Sequence, residues 1–229
     1  MFVLHEPGPG EGLARGVNNL EVVQTMMSLL DHLRELFEKG GPVQYVILVA
    51  SIYGGILVFE RWLKYRSLSR RAEDLLAMVY EVSEIGEDDM ARMDKSDPMG
   101  RIAWIAWDNR KLGREGMQEK VRVRFSTEEL YILRRLGAVA TIGSLLPMVG
   151  LLGTVVGMIV AFNAIAVHGT GDPKILADGI SQALLTTEAG LITSIPLLYL
   201  HQSLTEMADL ITRKMDTFST HLIQVIPNS

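Results

Sequence analysis

The sequence predicts an all-α integral membrane protein with three transmembrane helices and a large helical cytoplasmic insert. Three observations carry that prediction. Leu136 to Val167 is a run of 32 residues without Asp, Glu, Lys or Arg. Two further stretches, Val43 to Phe59 and Gly179 to Leu200, carry no charge and one charge respectively. The cations are segregated, with 16 of the 22 Lys and Arg residues between Arg61 and Arg135. A helix rises about 1.5 Å per residue, so roughly 20 residues cross a hydrocarbon core about 30 Å thick.

Average composition hides this organisation: 48% of the 229 residues are apolar and 21% charged, as in many soluble proteins. The net charge of −5 comes with no basic block of the kind that binds nucleic acid, so no nucleic-acid partner is expected. There is no cysteine, which excludes disulfides and thiolate metal sites. His168 and His201 fall near opposite membrane faces, too far apart to share a metal, and no phosphate-binding glycine loop is present. Gly150-Leu151-Leu152-Gly153 is glycine-rich but lies inside an apolar span. No catalytic constellation, metal site or cofactor is expected, and the chain does not read as an enzyme.

Along the chain, residues 1–17 read as a mobile N-terminal tail rather than a cleaved signal peptide, because no basic stretch precedes an apolar core. Residues 18–39 form an amphipathic helix on the outer, periplasmic side: Val22, Met26, Leu29, Leu33 and Leu36 share one side. That face either lies on the membrane surface or packs on another helix of the same protein. Gly40-Gly41-Pro42 ends it and starts the first transmembrane helix, 40–60, with Pro42 in the first turn. Trp62, Lys64, Tyr65 and Arg66 anchor its far end. The cytoplasmic helical region, 61–135, has helical stretches at about Arg70 to Ile85 and Met99 to Leu112. A third begins near Met117; Ser126-Thr127-Glu128-Glu129 offers a fresh helix start, but the absence of Gly and Pro until Gly137 favours one helix running unbroken into the second transmembrane helix, 136–167. A short periplasmic turn, 168–178, joins it to the third transmembrane helix, 179–201. A cytoplasmic C-terminal tail, 202–229, follows. The short turn makes the second and third spans an antiparallel hairpin.

Orientation follows from the distribution of cations. The central region holds 16, the N-terminal segment 3, the hairpin turn 1 and the tail 2. The positive-inside bias puts the N-terminus and the turn outside and the central region and C-terminus in the cytoplasm.

Within the second span, every third or fourth residue is small apart from Pro147: Gly143, Pro147, Gly150, Thr154, Gly157, Ala161, Ala164. The opposite side carries Leu145, Leu152, Val156 and Ile159. The third span repeats the arrangement with Gly179, Ala183, Thr186 or Thr187, Gly190 and Ser194, and Gln182 and Thr193 lie close by. Small stripes let membrane helices approach closely, so plain packing accounts for the glycines. A single threonine is accounted for by a bond to its own helix's carbonyl, but a cluster on paired helices points to a polar seam. Glu188 is the one ionisable side chain inside the third span. A charged carboxylate at mid-bilayer costs roughly 2.5–3.5 kcal/mol on insertion scales. It is therefore protonated, paired or facing water, as a proton-accepting site or as a carboxylate paired across a subunit interface.

The segment Pro147-Met148-Val149-Gly150-Leu151-Leu152-Gly153-Thr154-Val155-Val156-Gly157-Met158 resembles the second membrane helix of the MotA/TolQ/ExbB proton-channel family. Gly179 to Pro196 resembles the third, and Gly40-Gly41-Pro42 fits the start of the first. The likeness extends over nearly all of residues 40 to 205 and is strongest to the ExbB branch. It implies a homopentamer around an ExbD/TolR-like single-span partner carrying an essential membrane aspartate. It also implies a TonB- or TolA-like protein that transmits the motion, in the inner membrane of a bacterium. The family's threonines correspond to Thr154 and Thr187, the expected ion pathway. Thr186, Glu188, Gln182 and Ser194 are further candidates for the pathway or for facing the partner. Gly143, Pro147, Gly150, Gly157, Ala161, Ala183 and Gly190 form the stripe expected to face the pore.

In relatives the position of Gln182 is often Glu, and that of Glu188 is usually uncharged. The expected function is an ExbB-like, proton-driven subunit energising TonB-dependent transport, held at the membrane by basic residues that contact lipid headgroups. A TolQ-like role in envelope integrity and cell division is the alternative within the family, and a non-conducting membrane scaffold the alternative outside it. A solute transporter is disfavoured, because three spans without an inverted repeat leave little room for a midplane site.

Overall fold

The computed structural model describes residues 24, 26–28, 31, 34, 40–168 and 173–227. The 1–17 tail and most of the 18–39 segment lie outside the described residues, as do residues 169–172 of the turn. The described positions between 24 and 34 are helical. Among the described residues every regular element is a helix. In order these are α1 (Gly41–Glu81), α2 (Glu87–Arg92), α3 (Pro98–Asp108), a 3₁₀ turn (Arg110–Leu112), α4 (Gly113–Leu133), α5 (Leu136–His168) and α6 (Pro173–Val225). Among the described residues three segments are long and apolar enough to cross a membrane, and they lie within Gly41–Glu81, Arg110–Val167 and Leu176–Val225.

Local chemistry explains most of the helix ends. Gly41 opens α1 at φ +65°, a conformation glycine adopts without strain, and Pro42 follows in the first turn. The Asp97 carboxylate accepts from the Met99 backbone N–H at 3.0 Å and Pro98 sits at the first position of α3, a combined N-cap and proline start. At α2 the Asp89 carboxylate reaches back to the Gly86 N–H at 3.1 Å.

Two expectations need correction. The helix expected to run unbroken from near Met117 into the second span starts at Gly113 and stops at Leu133. Arg135 adopts φ +73°, and α5 begins afresh at Leu136. The left-handed conformation costs a non-glycine residue about 1–2 kcal/mol, and no glycine or proline marks the site. The setting is tertiary: Ile132, Leu136 and Val139 on either side of the junction are buried, and Arg135 Nη1 donates to both Glu60 carboxylate oxygens, at 2.5 and 2.7 Å. The second correction concerns the long helices. The stretch expected from Arg70 is continuous with the first span through Glu81, and the third span's helix runs on to Val225.

The chain packs as two compact units, Met1–Leu48 with Pro147–Ile192, and Val49–Leu146 with Thr193–Ser229. The second unit has a repeating apolar seam. On α1 the buried residues Val58, Tyr65, Ala72 and Val79 recur every seven positions. On α6 Leu204, Ala208, Ile211, Met215, Phe218 and Leu222 alternate four and three, the spacing of helices that pack at a shallow angle. The buried Tyr65 hydroxyl donates to the Ile132 carbonyl at 2.6 Å, tying α1 to the end of α4. Burial pushes its phenol above the ordinary tyrosine range, with Arg61 opposing. Glu128, 2% exposed, is held by Arg101 and by Arg124, whose Nη2 lies at 2.7 Å. At the end of α1, the Ile85 N–H donates to the Val225 carbonyl at 3.0 Å, which closes the far end of this unit on α6.

Candidate functional site

In the first unit, α5 and α6 run antiparallel at close range. A Cβ added at Gly150 would lie 2.9 Å from the Thr186 carbonyl oxygen and 3.1 Å from the Thr187 Cα. One at Gly157 would lie 2.9 Å from the Ala183 Cβ, and one at Gly179 2.6 Å from the Ala161 Cβ. Rising numbers on α5 therefore meet falling numbers on α6. Backbones approach this closely only where side chains are absent or a single methyl, the sequence requirement of a tight membrane helix pair.

Each hydroxyl of the cluster has a definite partner. Thr187 Oγ1 donates across the helix pair to the Gly150 carbonyl at 3.0 Å. Thr154 Oγ1, half-buried, donates to its own helix at the Leu151 carbonyl, 2.6 Å away. Thr186, 1% exposed, turns back to the Ala183 carbonyl at 2.8 Å and packs its side chain on Gly153. A hydroxyl has one hydrogen to donate and two lone pairs, so each keeps acceptor capacity after these bonds. Gln182 is half-buried, and its amide fills the place a Cβ would take at Gly41. Glu188 is half-buried on the same helix.

In the second unit, Ser194, 2% exposed, donates to the Gly143 carbonyl at 2.6 Å, and Gly143 lies against Leu198. The candidates thus form two groups: Thr154, Thr186, Thr187, Gln182 and Glu188 in one unit, Ser194 with Gly143 in the other. Of the stripe expected to face the pore, Gly143, Gly150, Gly157, Ala161, Ala183 and Gly190 are buried, packed helix against helix within their own chain, while Pro147 is half-buried. Their smallness is used up in that approach.

Gly153 lies outside the stripe that the sequence suggests, yet it meets the tightest contact there, with a Cβ landing 2.5 Å from the Thr186 Cβ and closer still to its hydroxyl. The signal was present, since Gly150, Gly153 and Gly157 follow a three-then-four spacing. Thr154 satisfies the same spacing rule, so periodicity alone does not choose between the two neighbours.

Among the described residues no group of three His, Asp or Glu side chains converges as a metal site. The arrangement places threonine hydroxyls, each bonded to a backbone carbonyl, within an apolar helix pair. A sequence profile of the MotA/TolQ/ExbB proton channel family matches residues 94–217, more than half of the chain. The chain belongs to that family. A biopolymer transport protein homologous to ExbB from Methanothermobacter thermautotrophicus is 32% identical over 179 residues, covering 76% of this chain and 63% of that protein. The biopolymer transport protein ExbB of Salmonella typhimurium is 40% identical over 86 residues, 36% of this chain and 35% of the relative. The Tol-Pal system protein TolQ of Pseudomonas aeruginosa is 32% identical over 105 residues, 46% of each chain. The chain thus spans less than two thirds of the length of each of these relatives. As a family member with three segments fit to span, it is a multi-pass membrane protein.

Proposed function

We propose that this MotA/TolQ/ExbB-family protein is an ExbB-like channel-forming subunit of an inner-membrane, ion-driven motor. In this reading five copies surround an ExbD/TolR-type single-span partner, and proton flow energises TonB-dependent outer-membrane transport. The observation that carries it is the hydroxyl-bearing α5–α6 pair, within the span of the family match. The cation distribution supports a periplasmic N-terminus and a cytoplasmic insert and C-terminus.

The geometry supports a division of labour. Gly150, Gly153, Gly157 and Ala183 lock the two helices into one stiff wall. Thr154 and Thr187 lie half-buried at its edge with lone pairs to spare, and they accept hydrogen bonds from water or a hydrated proton passing the partner. Gln182 and Glu188 flank that route on α6. No covalent bond is made or broken by these residues; their work is binding and orientation.

Proton flux into liposomes holding this protein with its ExbD/TolR-type partner tests the proposal. Thr187→Val is expected to lower flux while the oligomer stays assembled, and undiminished flux would sink it. A wild-type complex that conducts nothing would leave a scaffold instead. Likeness to the Pseudomonas aeruginosa TolQ favours a second assignment, to envelope integrity and cell division. Co-purification with a TonB-like or a TolA-like protein separates the two.

A further inference from the structure

In the second unit, α1 and α6 enclose a groove of about 360 Å³ lined by Gly55, Val58, Phe59 and Trp62 on one side and Leu200, Ser203 and Leu204 on the other. It is open along one side, and its lining is apolar apart from Ser203. We propose that this groove is a binding site for one anionic glycerophospholipid, its acyl chain in the groove and its phosphate on Arg66.

The α1 wall is a continuous helical stripe. Gly55, Val58, Phe59 and Trp62 follow the three-and-four spacing of one face, and Arg66 continues that face one turn further. The Arg66 guanidinium lies 5.3 Å from the centroid of the Trp62 ring, within cation–π range, which keeps the charge at the end of the groove. The floor is opened by Gly55, where a Cβ would meet nothing within 4 Å. Along α1 the uncharged stretch ends at Phe59, beside the groove. From Arg61 to Ala72 there are five basic residues and no acidic one: Arg61, Lys64, Arg66, Arg70 and Arg71.

That charge pattern selects the occupant. The apolar face of a second copy would fill only the groove, whereas the cation at its end asks for an anion as well. An anionic lipid supplies both halves, methylenes for the groove and a phosphate that an arginine binds through two N–H groups. The Trp62 edge suits the boundary between them, where indoles gather in membrane proteins.

Trp62 also reports the site. Full-length protein is reconstituted in phosphatidylcholine vesicles, and acyl-brominated phosphatidylglycerol or phosphatidylcholine is titrated in. The Trp62 signal is taken as the difference between the native chain and Trp62→Phe. Quenching is expected at a several-fold lower mole fraction of the brominated phosphatidylglycerol. Arg66→Gln should abolish that preference while leaving quenching by both lipids. Gly55→Leu, which projects into open space, should weaken quenching by both. Equal quenching by the two lipids in the native protein would overturn the proposal, leaving only the ordinary lipid annulus. Absence of quenching by either would also overturn it, and would assign the groove to a protein neighbour.

Discussion

The Thr187 hydroxyl is bonded to the Gly150 carbonyl on the facing helix, 3.0 Å away and 37 residues distant in sequence. The bond exists because Gly150 has no side chain: the two backbones come close enough for a threonine to span the gap. The same two residues thus set the helix spacing and place a hydroxyl at mid-span. Thr187→Val keeps the shape and removes the bond. Interhelical hydrogen bonds of this kind average about 0.6 kcal/mol, so the variant should assemble and melt almost as the native protein does. Ion flux with the partner should fall by about tenfold or more, a barrier change of about 1.4 kcal/mol, and Thr187→Ser should restore most of it. A Thr187→Val complex that melts normally and conducts normally would make the hydroxyl a packing contact.

Gly153 should be the least tolerant position of α5. A Cβ there runs into Thr186, whose own hydroxyl is committed to the Ala183 carbonyl at 2.8 Å and whose side chain is buried. Gly153→Val is expected to cost about 1–3 kcal/mol by overpacking, seen as a lower melting temperature in detergent. Gly55→Ala is the control, since it meets no neighbour, and replacing a helical glycine by alanine adds up to about 1 kcal/mol.

These contacts show which parts of the molecule a sequence discloses. The uncharged run from Leu136 and the start at Gly41-Pro42 are local signals, and helices begin at both. The seam at Leu204, Ala208, Ile211, Met215, Phe218 and Leu222 has a heptad spacing written in residues that the sequence suggests only as a C-terminal tail. The break at Arg134-Arg135 is not local. Its contacts are tertiary, among them Glu60, 75 residues away, and a left-handed arginine has no signature in its own neighbourhood. The pairing of Gly153 with Thr186 lies between these cases, because spacing puts two neighbouring residues of α5 within reach and only packing decides which one turns inward.

Glu188 supplies a separate test of coupling. It is a carboxylate on the third span beside Thr187, about 100° around the helix from it, and half-buried. An ionisable group in a membrane helix is costly unless it faces protein or water. Glu188→Gln preserves shape and hydrogen bonding but cannot exchange a proton. The variant is expected to form the same oligomer and to lose ion-driven work on the partner. Full activity would reduce Glu188 to a structural contact.

The strain at Arg135 is measurable as a difference between two substitutions. Both Arg135→Ala and Arg135→Gly lose the pair with Glu60, which is about half exposed on each side and worth about 0–1 kcal/mol. Alanine keeps the cost of φ +73° and glycine does not. The glycine variant should therefore be more stable than the alanine variant by about 1 kcal/mol. Equal denaturation midpoints would mean that the α4–α5 junction relaxes out of the left-handed conformation once Glu60 is released.

Asp97 predicts a pH dependence with a definite sign. It is 4% exposed and caps α3 through the Met99 N–H, and desolvation by burial raises its carboxyl above the ordinary value. The backbone N–H groups of Met99 and Gly100, then Arg71 and Arg101, only partly oppose this. A raised folded-state pKa means that the folded chain binds the proton more tightly than the unfolded one. Between the two pKa values stability falls as pH rises. Below the ordinary carboxylate range the group is protonated in both states and the penalty vanishes; above the folded pKa it is fully in force. Asparagine caps helices as well as aspartate does and carries no charge. Asp97→Asn should therefore raise the melting temperature at pH 7, and the gain should shrink steadily as pH falls toward 4. A gain that persists unchanged at low pH would show that the carboxylate's charge is not what burdens this turn. A loss at pH 7 would show that the charge stabilises the start of α3 more than its burial costs.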